Sequence, residues 1–263
     1  MFLGIDIGSS SSKVAIINDN GELAAVSVIN LGTGTNAYQT ALEDALSQAK
    51  ITLEDIQFTV ATGYGRMNLK NADRQITEIT CHAKGVHYLV GNVSTIVDIG
   101  GQDAKVIKLD SEGKVQNFVM NEKCAAGTGR FMEVMARVLG CELSDLSAMA
   151  EKSTKNISIS NVCTVFAESE VISRLSAGEK LEDVARGAHV AIAKRVTGMC
   201  NRVGYSPKVV MTGGVALNAN LVQALSAELG CEVEVVPHSQ AAGAIGAAVF
   251  AYEIFNKEED DNA

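Results

Sequence analysis

The clearest indication of the fold is the stretch Phe2-Leu3-Gly4-Ile5-Asp6-Ile7-Gly8-Ser9-Ser10-Ser11-Ser12-Lys13. Residues 2–7 predict a buried strand, and the glycine and serines that follow predict a tight turn. A carboxylate at a strand end can hold Mg²⁺, and the N–H groups, hydroxyls and ammonium of the turn can hold phosphate oxygens. A serine-rich hairpin with a solvated lysine would explain this stretch alone equally well.

A second copy of this turn follows 92 residues later, in Asp98-Ile99-Gly100-Gly101-Gln102-Asp103. Each copy stands at the end of a predicted strand and is followed by two more strands. This succession of strands differs from the strand–helix–strand order of a dinucleotide fold. We therefore interpret the chain as an internal duplication, an α/β protein in which each half carries one mixed sheet.

The duplication also predicts the boundaries. We expect a first lobe at 1–93 and a second at 94–263, facing each other across a cleft, with the last helix (about 243–256) packed back on the first lobe. The remaining strands are predicted at 13–17, 23–30, 56–61, 95–99, 105–110, 115–121, 209–211 and 232–236. The helices are predicted at 37–50, 75–85, 129–139, 143–151, 166–176, 181–203, 218–229 and 243–255.

A third glycine-containing turn, Met211-Thr212-Gly213-Gly214-Val215-Ala216, ends a predicted strand of the second half. Glycines there let the backbone approach a flat ligand such as a nucleobase, although any glycine-rich strand-to-helix turn has the same pattern. The three pieces, in this order and spacing, resemble the actin, sugar-kinase and heat-shock-chaperone ATPase superfamily. The resemblance implies a duplicated ribonuclease-H-like (actin-like ATPase) fold with two lobes around a nucleotide cleft. A P-loop and a Rossmann fingerprint are absent from the sequence.

Composition disfavours several other classes of protein. The 263 residues carry a net charge of −9, which disfavours non-specific binding of nucleic acid, and 47% of them are hydrophobic, enough for a sizeable core. The first residues lack the basic and long apolar regions of a signal peptide. The apolar stretch 241–255 contains Glu253 and is too short to span a bilayer. We therefore expect a cytoplasmic protein that binds neither membranes nor nucleic acid.

The sequence contains six cysteines, none in a C-x-x-C pair, which disfavours a zinc ribbon, a thioredoxin-like site and a ferredoxin-type run. Cys124 and Cys163 each precede a predicted helix. A helix N-terminus stabilises thiolates and bound anions, and an iron–sulfur cluster with four thiolate ligands is such an anion. Two ordinary buried cysteines are the competing interpretation, and it is the one that we apply to Cys81, Cys141, Cys200 and Cys231.

One chain supplies only two thiols in this setting, whereas a two-fold dimer supplies four that converge on the axis. A [4Fe–4S] cluster shared between two subunits is the simplest arrangement that satisfies this count.

Four blocks of sequence make the resemblance more specific. They are Ala61-Thr62-Gly63-Tyr64-Gly65-Arg66, Asp98 to Lys105, Asn121 to Arg130 and Cys163 to Glu170. Together they resemble the activator component of 2-hydroxyacyl-CoA dehydratases, an ATPase of the BadF/BadG/BcrA/BcrD type, from about residue 2 to residue 252. The resemblance implies a homodimer with one bridging [4Fe–4S] cluster. It also implies that the cluster takes an electron from ferredoxin or flavodoxin and passes it, with MgATP, to the dehydratase or a similar partner.

The resemblance also implies roles for individual residues. Cys124 and Cys163 would be the cluster ligands. Asp6, Asp98 and Gln102 would be catalytic, with Asp6 also on Mg²⁺. The residues that bind the phosphates and the nucleoside would be Ser9, Ser10, Ser11, Ser12, Lys13, Gly100, Gly101, Gly213, Gly214 and Gln240.

Two other functions stay open at this point. A sugar or small-metabolite kinase of the same superfamily needs a catalytic carboxylate, for which Asp98 or Asp103 could serve, but it leaves the two cysteines unexplained. A non-redox ATP-dependent scaffold of the actin or chaperone kind would use the same turns. A brown protein that absorbs near ~400 nm would separate the cluster-bearing activator from both.

Overall fold

The computed structural model describes residues 1–262, with side chains through residue 259. The chain forms two compact units. Unit 1 comprises Met1–Val93, Leu109–Val115 and the chain from Val236 onward. Unit 2 comprises Ser94–Lys108 and Gln116–Val235.

Each unit contains one five-stranded sheet and several helices. The strands are β1 (Phe2–Ile7), β2 (Ser12–Ile17), β3 (Leu23–Ile29), β4 (Phe58–Thr62), β5 (Arg74–Gln75), β6 (Thr95–Ile99), β7 (Ala104–Leu109), β8 (Val115–Asn121), β9 (Val209–Thr212) and β10 (Val233–Val235). The helices are α1 (Ala37–Ala49), α2 (Glu78–Val90), α3 (Gly129–Leu139), α4 (Leu146–Glu151), α5 (Thr164–Ser176), α6 (Leu181–Val203), α7 (Ala219–Leu229) and α8 (Ala242–Asn262). Among the described residues, no helix combines the length and the apolar character that crossing a membrane requires.

Unit 1 is built on a mixed sheet with the strand order β3-β2-β1-β4-β5. Its central strand β1 is buried throughout and pairs antiparallel with β2 and parallel with β4. Side chains alternate along this strand. Leu3, Ile5 and Ile7 pack with residues of α1, whereas Phe2 packs with residues of α8. The sheet is therefore covered on both faces, which explains the uninterrupted apolar run at the start of the sequence.

The helices α2 and α8 approach each other and β1 so closely that the contacts require glycine. A Cβ at Gly4 would overlap the backbone of α8, and a Cβ at Gly85 would overlap the Ala242 carbonyl. A Cβ at Gly246 would overlap the Cys81 carbonyl. These contacts fix α8 against β1 and bring the first turn of the helix to the end of that strand.

Unit 2 is built on a second mixed sheet with the order β10-β9-β6-β7-β8. Its strand β6 pairs antiparallel with β7 and parallel with β9, as β1 pairs with β2 and β4 in unit 1. The long helix α6 contacts α3, α4, α5 and α7. Its buried face, which includes Ala188, Ile192 and Val196, joins these helices in one apolar core with Val97 and Ile99 of the sheet.

Several element boundaries differ from those predicted. Helix α2 begins at Glu78 instead of residue 75, because residues 74 and 75 pair with β4 and the Thr77 hydroxyl accepts the N–H of Thr80 as a cap. The segment 143–151 divides into a 3₁₀ turn at Leu143–Asp145 and the helix α4. Leu109–Val115, which was predicted within the second lobe, groups with unit 1.

Candidate functional site

Two turns of equal length join the first two strands of each sheet. The first turn, residues 8–11, joins β1 to β2, and the second turn, residues 100–103, joins β6 to β7. In both turns the N–H of the first residue donates to the carbonyl of the last over 2.9 Å, from Gly8 to Ser11 and from Gly100 to Asp103. The two turns therefore share one hydrogen-bonded frame at equivalent places in the two units.

Beside the first turn, strand pairing groups a carboxylate, an ammonium and a glycine. Asp6 lies opposite Lys13 on β2 and opposite Thr62 on β4. The Lys13 Nζ is 3.3 Å from the Asp6 Oδ2, and both side chains are largely buried. Gly63 has a φ of +84°, and a Cβ there would overlap the Asp6 Oδ1. A side chain at this position would therefore displace the carboxylate.

The same group recurs beside the second turn. Asp98 lies opposite Lys105 on β7 and opposite Thr212 on β9. The Thr212 hydroxyl donates to the Asp98 Oδ1 over 3.0 Å. The Lys105 ammonium donates to the Asp98 Oδ2 over 3.2 Å and to the Asp103 Oδ2 over 2.7 Å. Gly213 has a φ of +85°, and a Cβ there would lie 2.9 Å from the Asp98 Oδ1.

The serines of the first stretch differ in what they can offer a ligand. Ser9 and Ser11 are half-buried and Ser10 is exposed. Ser12 is buried, and its hydroxyl donates to the Leu31 carbonyl over 3.1 Å. Ser12 therefore ties the first turn to the end of β3, while the other three serines remain the accessible ones.

The second turn is joined to the start of helix α3. The N–H of Gly129 donates to the Gly100 carbonyl over 2.9 Å, and the N–H of Arg130 donates to the Gly101 carbonyl over 2.8 Å. Gln102, at the outside of the turn, is exposed. Two of the N–H groups that a helix leaves without an intrahelical partner are thus satisfied by the turn.

The residues predicted near a nucleoside lie in both units. In unit 2, Gly213 is buried and Gly214 is exposed at the start of a short 3₁₀ turn. In unit 1, Gln240 is half-buried just before α8. A Cβ at Gly243, in the first turn of α8, would lie 2.9 Å from the Asp6 Oδ2. Gly63 and Gly243 were both missed from the sequence, although the repeated Thr-Gly at 62–63 and 212–213 was a signal for the first.

Cys163 and Cys124 both precede helices of unit 2. Cys163 is the N-cap residue of α5, and Cys124 stands five residues before α3 in a turn whose carbonyls at Cys124 and Ala126 accept the Asn121 side-chain amide. Both cysteines are half-buried. By contrast, burial raises the pKa of the Cys81 and Cys200 thiols to about 12. Within residues 1–259, no group of three His, Cys, Asp or Glu side chains is arranged as a metal site.

Helix α3 contacts the second turn and also helix α5. The Arg137 guanidinium of α3 is 3.5 Å from the Glu168 carboxylate of α5, and the two helices pack on each other. Around the start of α5, three apolar side chains are about two-thirds exposed: Val162 (66%), Val165 (64%) and Phe166 (66%). We call these three residues the Cys163 patch. Such a group of exposed apolar side chains is typical of a protein–protein interface.

Two mixed sheets, each with an aspartate turn, a facing lysine and a threonine-glycine strand end, define a protein of the actin and sugar-kinase ATPase fold. The structure of a ROK family glucokinase from Streptomyces griseus shares this fold at a TM-score of 0.58 and 11% identity, over 96% of this chain and 99% of that chain. The chain belongs to the BadF/BadG/BcrA/BcrD ATPase family, whose profile matches residues 3–251.

Members of this family with known roles are similar along their whole length. The chain is 51% identical over 256 residues to the activator of lactoyl-CoA dehydratase from Anaerotignum propionicum, covering 97% of this chain and 99% of that protein. It is 50% identical over 252 residues to the (R)-2-hydroxyglutaryl-CoA dehydratase activating ATPase of Acidaminococcus fermentans, covering 95% and 96%. The structure of the 2-hydroxyisocaproyl-CoA dehydratase activator from Clostridium difficile with bound ADPNP superposes at a TM-score of 0.94 and 45% identity, covering 99% and 98%.

Proposed function

We propose that this protein is an ATP-dependent activator that passes one electron to a 2-hydroxyacyl-CoA dehydratase or a related partner. The observation that carries the proposal is the hydrogen-bonded junction between the second turn and the start of α3, at Gly100 and Gly129. It joins a turn suited to phosphate with the helix that follows Cys124. The family membership and the names of the relatives support the same function.

In this proposal each turn offers groups to MgATP. The first turn offers N–H and hydroxyl groups of Ser9 to Ser11 and the Lys13 ammonium, and the second offers the backbone of Gly100 and Gly101. Carboxylate oxygens of Asp6 and Asp98 and the amide oxygen of Gln102 are hard donors of the kind that Mg²⁺ prefers. Residues Gly213, Gly214 and Gln240 are the proposed nucleoside neighbours.

The surroundings of Cys124 and Cys163 fit an anionic iron–sulfur cluster. Within the described residues, the Thr164 hydroxyl and the Arg195 Nε are buried and lack a hydrogen-bond partner. Thr164 directly follows Cys163. The Arg195 side chain lies against Gly127, in the turn that carries Cys124, where a Cβ would be 2.9 Å from the Arg195 Cγ. A hydroxyl donor next in sequence to Cys163 and a cationic side chain packed on the turn that carries Cys124 are groups of the kind that stabilise bound sulfide and thiolate.

A four-thiolate cluster then requires two chains, because each contributes Cys124 and Cys163. When bound, such a cluster supplies reversible one-electron chemistry. The Cys163 patch supports the dimer, since burying Val162, Val165 and Phe166 in an interface would remove exposed apolar side chains from water. A reduced ferredoxin or flavodoxin is the proposed electron donor. The cytoplasm is the proposed compartment, in line with the free state of all six cysteines.

In this proposal, ATP binding or hydrolysis at the second turn is coupled to the helices that follow Cys124 and Cys163 through backbone hydrogen bonds. A change at the second turn when ATP binds or is hydrolysed would shift Gly100 and Gly101, and with them the N-terminus of α3. Helix α3 would transmit this shift to α5 through its packing and the pair formed by Arg137 and Glu168. Sugar phosphorylation is less well supported, because that reaction leaves Cys124 and Cys163 without a role.

The test is reductive activation of a purified dehydratase component. The chain, purified without oxygen, is mixed with a chemical reductant, MgATP and, in turn, the lactoyl-, 2-hydroxyisocaproyl- and (R)-2-hydroxyglutaryl-CoA dehydratase components. We expect dehydration of at least one 2-hydroxyacyl-CoA to begin with MgATP and not with MgADP. ATP hydrolysis without activation of any of the three components would contradict the proposal.

A further inference from the structure

We propose that Lys105 is a positioning residue of the second turn, whose ammonium holds Asp98 and Asp103 in place and, before nucleotide binds, lowers the affinity of this turn for divalent cations. The inference rests on the proposed nucleotide-binding function of the two turns.

The Lys105 ammonium forms ion pairs with two carboxylates. The Lys105 Nζ is 3.2 Å from the Asp98 Oδ2 and 2.7 Å from the Asp103 Oδ2. The side chains of Lys105, Asp98 and Asp103 are only 7%, 6% and 11% exposed. Water therefore screens these charges poorly, and the Lys105 ammonium offsets the repulsion between the two carboxylates.

The duplicated first turn provides an internal comparison. There, among the residues whose side chains the structure describes, the carboxylate paired with Lys13 is that of Asp6, at 3.3 Å. Ser11 occupies the place that Asp103 has in the second turn, since each closes its turn by accepting the N–H of the first glycine. The paired side chains of the first turn are thus neutral in sum, whereas Asp98, Asp103 and Lys105 together carry −1. The second turn thus has one carboxylate more than the first. The positive charge of Lys105 keeps the net charge of its three paired side chains at −1 instead of −2.

Asp103 is also held on its other side. A Cβ at Gly100 would lie 2.5 Å from the Asp103 Oδ1, so the carboxylate packs against the Gly100 backbone while its second oxygen binds Lys105. Removing the ammonium would leave two close carboxylates in a largely buried place. Two such carboxylates attract a divalent cation in place of the lost ammonium.

The experiment measures binding of Mn²⁺ alone to the nucleotide-free protein, followed by electron paramagnetic resonance. Lys105→Met and Lys105→Gln are expected to bind Mn²⁺ about tenfold or more tightly than the unchanged protein. Lys105→Arg, which keeps the charge, and Lys108→Met, on the same strand, are expected to match the unchanged protein. The double change Lys105→Met with Asp103→Asn restores a charge of −1 and is expected to reverse the gain.

A second measurement removes a negative charge from the same group instead of the positive one. It does not require the lysine variants to fold. Asp103→Asn keeps Lys105 and brings the sum to zero, so the Mn²⁺ concentration for half-loading in the presence of saturating ADP is expected to rise about tenfold. Folded Lys105→Met with unchanged Mn²⁺ affinity, or Asp103→Asn with unchanged half-loading, would overturn the inference. Neither readout requires electron transfer, so a chain that fails to activate any dehydratase can still show the Lys105 effect.

Discussion

The N–H of Gly129 donates a hydrogen bond to the carbonyl oxygen of Gly100 over 2.9 Å. This bond joins the second turn, where strand β6 ends, to the first residue of helix α3, and the bond from Arg130 to Gly101 doubles it. Both partners are backbone groups, so a displacement of the turn cannot be absorbed by rotation of a side chain. The pair therefore connects a turn that offers N–H groups to phosphate directly to the helix that follows Cys124, one of the two predicted cluster cysteines.

Gly129→Ala tests this connection. The added Cβ would lie 3.1 Å from the Gly100 carbonyl oxygen, 3.1 Å from the Gly101 Cα and 3.3 Å from Val215, so the turn and the helix would have to separate slightly. We expect the number of dehydratase molecules activated per ATP hydrolysed to fall by about threefold or more, a coupling loss of ordinary size. The measurement compares ATP hydrolysis with dehydratase activation in the same sample.

The matched control for this variant is Gly198→Ala. Gly198 lies inside α6, and a Cβ there would meet nothing within 4 Å. Alanine at this position is therefore expected to stabilise the helix by about 0.5–1 kcal/mol and to leave coupling unchanged. If Gly129→Ala couples ATP hydrolysis to activation as well as Gly198→Ala does, the backbone route is wrong.

Gly63 and Gly213, which have positive φ values and lie beside Asp6 and Asp98, allow a test of the proposed nucleotide site. In Gly63→Ala the new methyl group would meet the Asp6 carboxylate and the Ile7 carbonyl, and in Gly213→Ala it would meet the Asp98 carboxylate and the Ile99 carbonyl. We expect both variants to bind MgATP about tenfold or more weakly, because the carboxylates and the turns that follow these carbonyls must move. Nucleotide affinity is measured by calorimetry on folded protein.

Two other glycines separate backbone strain from displacement of a carboxylate. Gly34 and Gly178 have φ values of +89° and +87°, and a Cβ at either would meet nothing within 4 Å. Alanine there costs the same left-handed strain, roughly 1–2 kcal/mol, without touching a carboxylate. Equal losses of MgATP affinity in all four variants would show that strain, and not the position of the aspartates, explains the effect.

We expect the buried ring of His189 to make the free energy of unfolding of unit 2 depend on pH. Burial lowers the pKa of this ring, whose nitrogens lie 2.8 Å from the Ala185 carbonyl oxygen and 3.1 Å from the Asn218 Oδ1. The folded pKa lies below the unfolded value of 6.5, so the unfolded chain takes up the proton first as the pH falls. This contribution to stability is present above pH 6.5 and is lost as the pH falls through the folded pKa.

Urea unfolding at a series of pH values between about 7.5 and 5 measures this effect. His189→Gln is expected to lower the slope of unfolding free energy against pH in this range. An unchanged slope in His189→Gln would mean that other groups govern the acid sensitivity.

Local sequence was sufficient to predict the bounds of five elements. The strands at 2–7, 95–99 and 115–121 and the helices at 129–139 and 181–203 were predicted with the bounds that the structure shows. The start of α2 was wrong because the pairing of Arg74 and Gln75 with β4 is a long-range contact that no local pattern contains. The grouping of Leu109–Val115 with unit 1 also depends on tertiary packing, since Gly113 at this tip lies against His87 of α2.

The site residues could likewise be predicted only where they lie close together in the sequence. The Asp-x-Gly turns were visible because each is continuous in sequence. The equivalence of Gly63 and Gly213 depends on parallel pairing between strands about 55 and 115 residues apart, so their shared place beside an aspartate appears only in the fold. Lys105 was quoted within a motif, but its double contact depends on the hairpin register and on the bend that returns Asp103 to the same ammonium.

The proposed cluster is shared between two chains through Cys124 and Cys163. It is tested most directly by the iron and acid-labile sulfide content per chain of the protein purified without oxygen, together with the mass of that protein in solution. We expect about two iron atoms per chain in a dimer, with loss of iron in Cys124→Ala and in Cys163→Ala. Cys231→Ala, a half-buried control, is expected to keep its iron. Full iron content in Cys163→Ala, or a monomer that retains four iron atoms, would contradict the account.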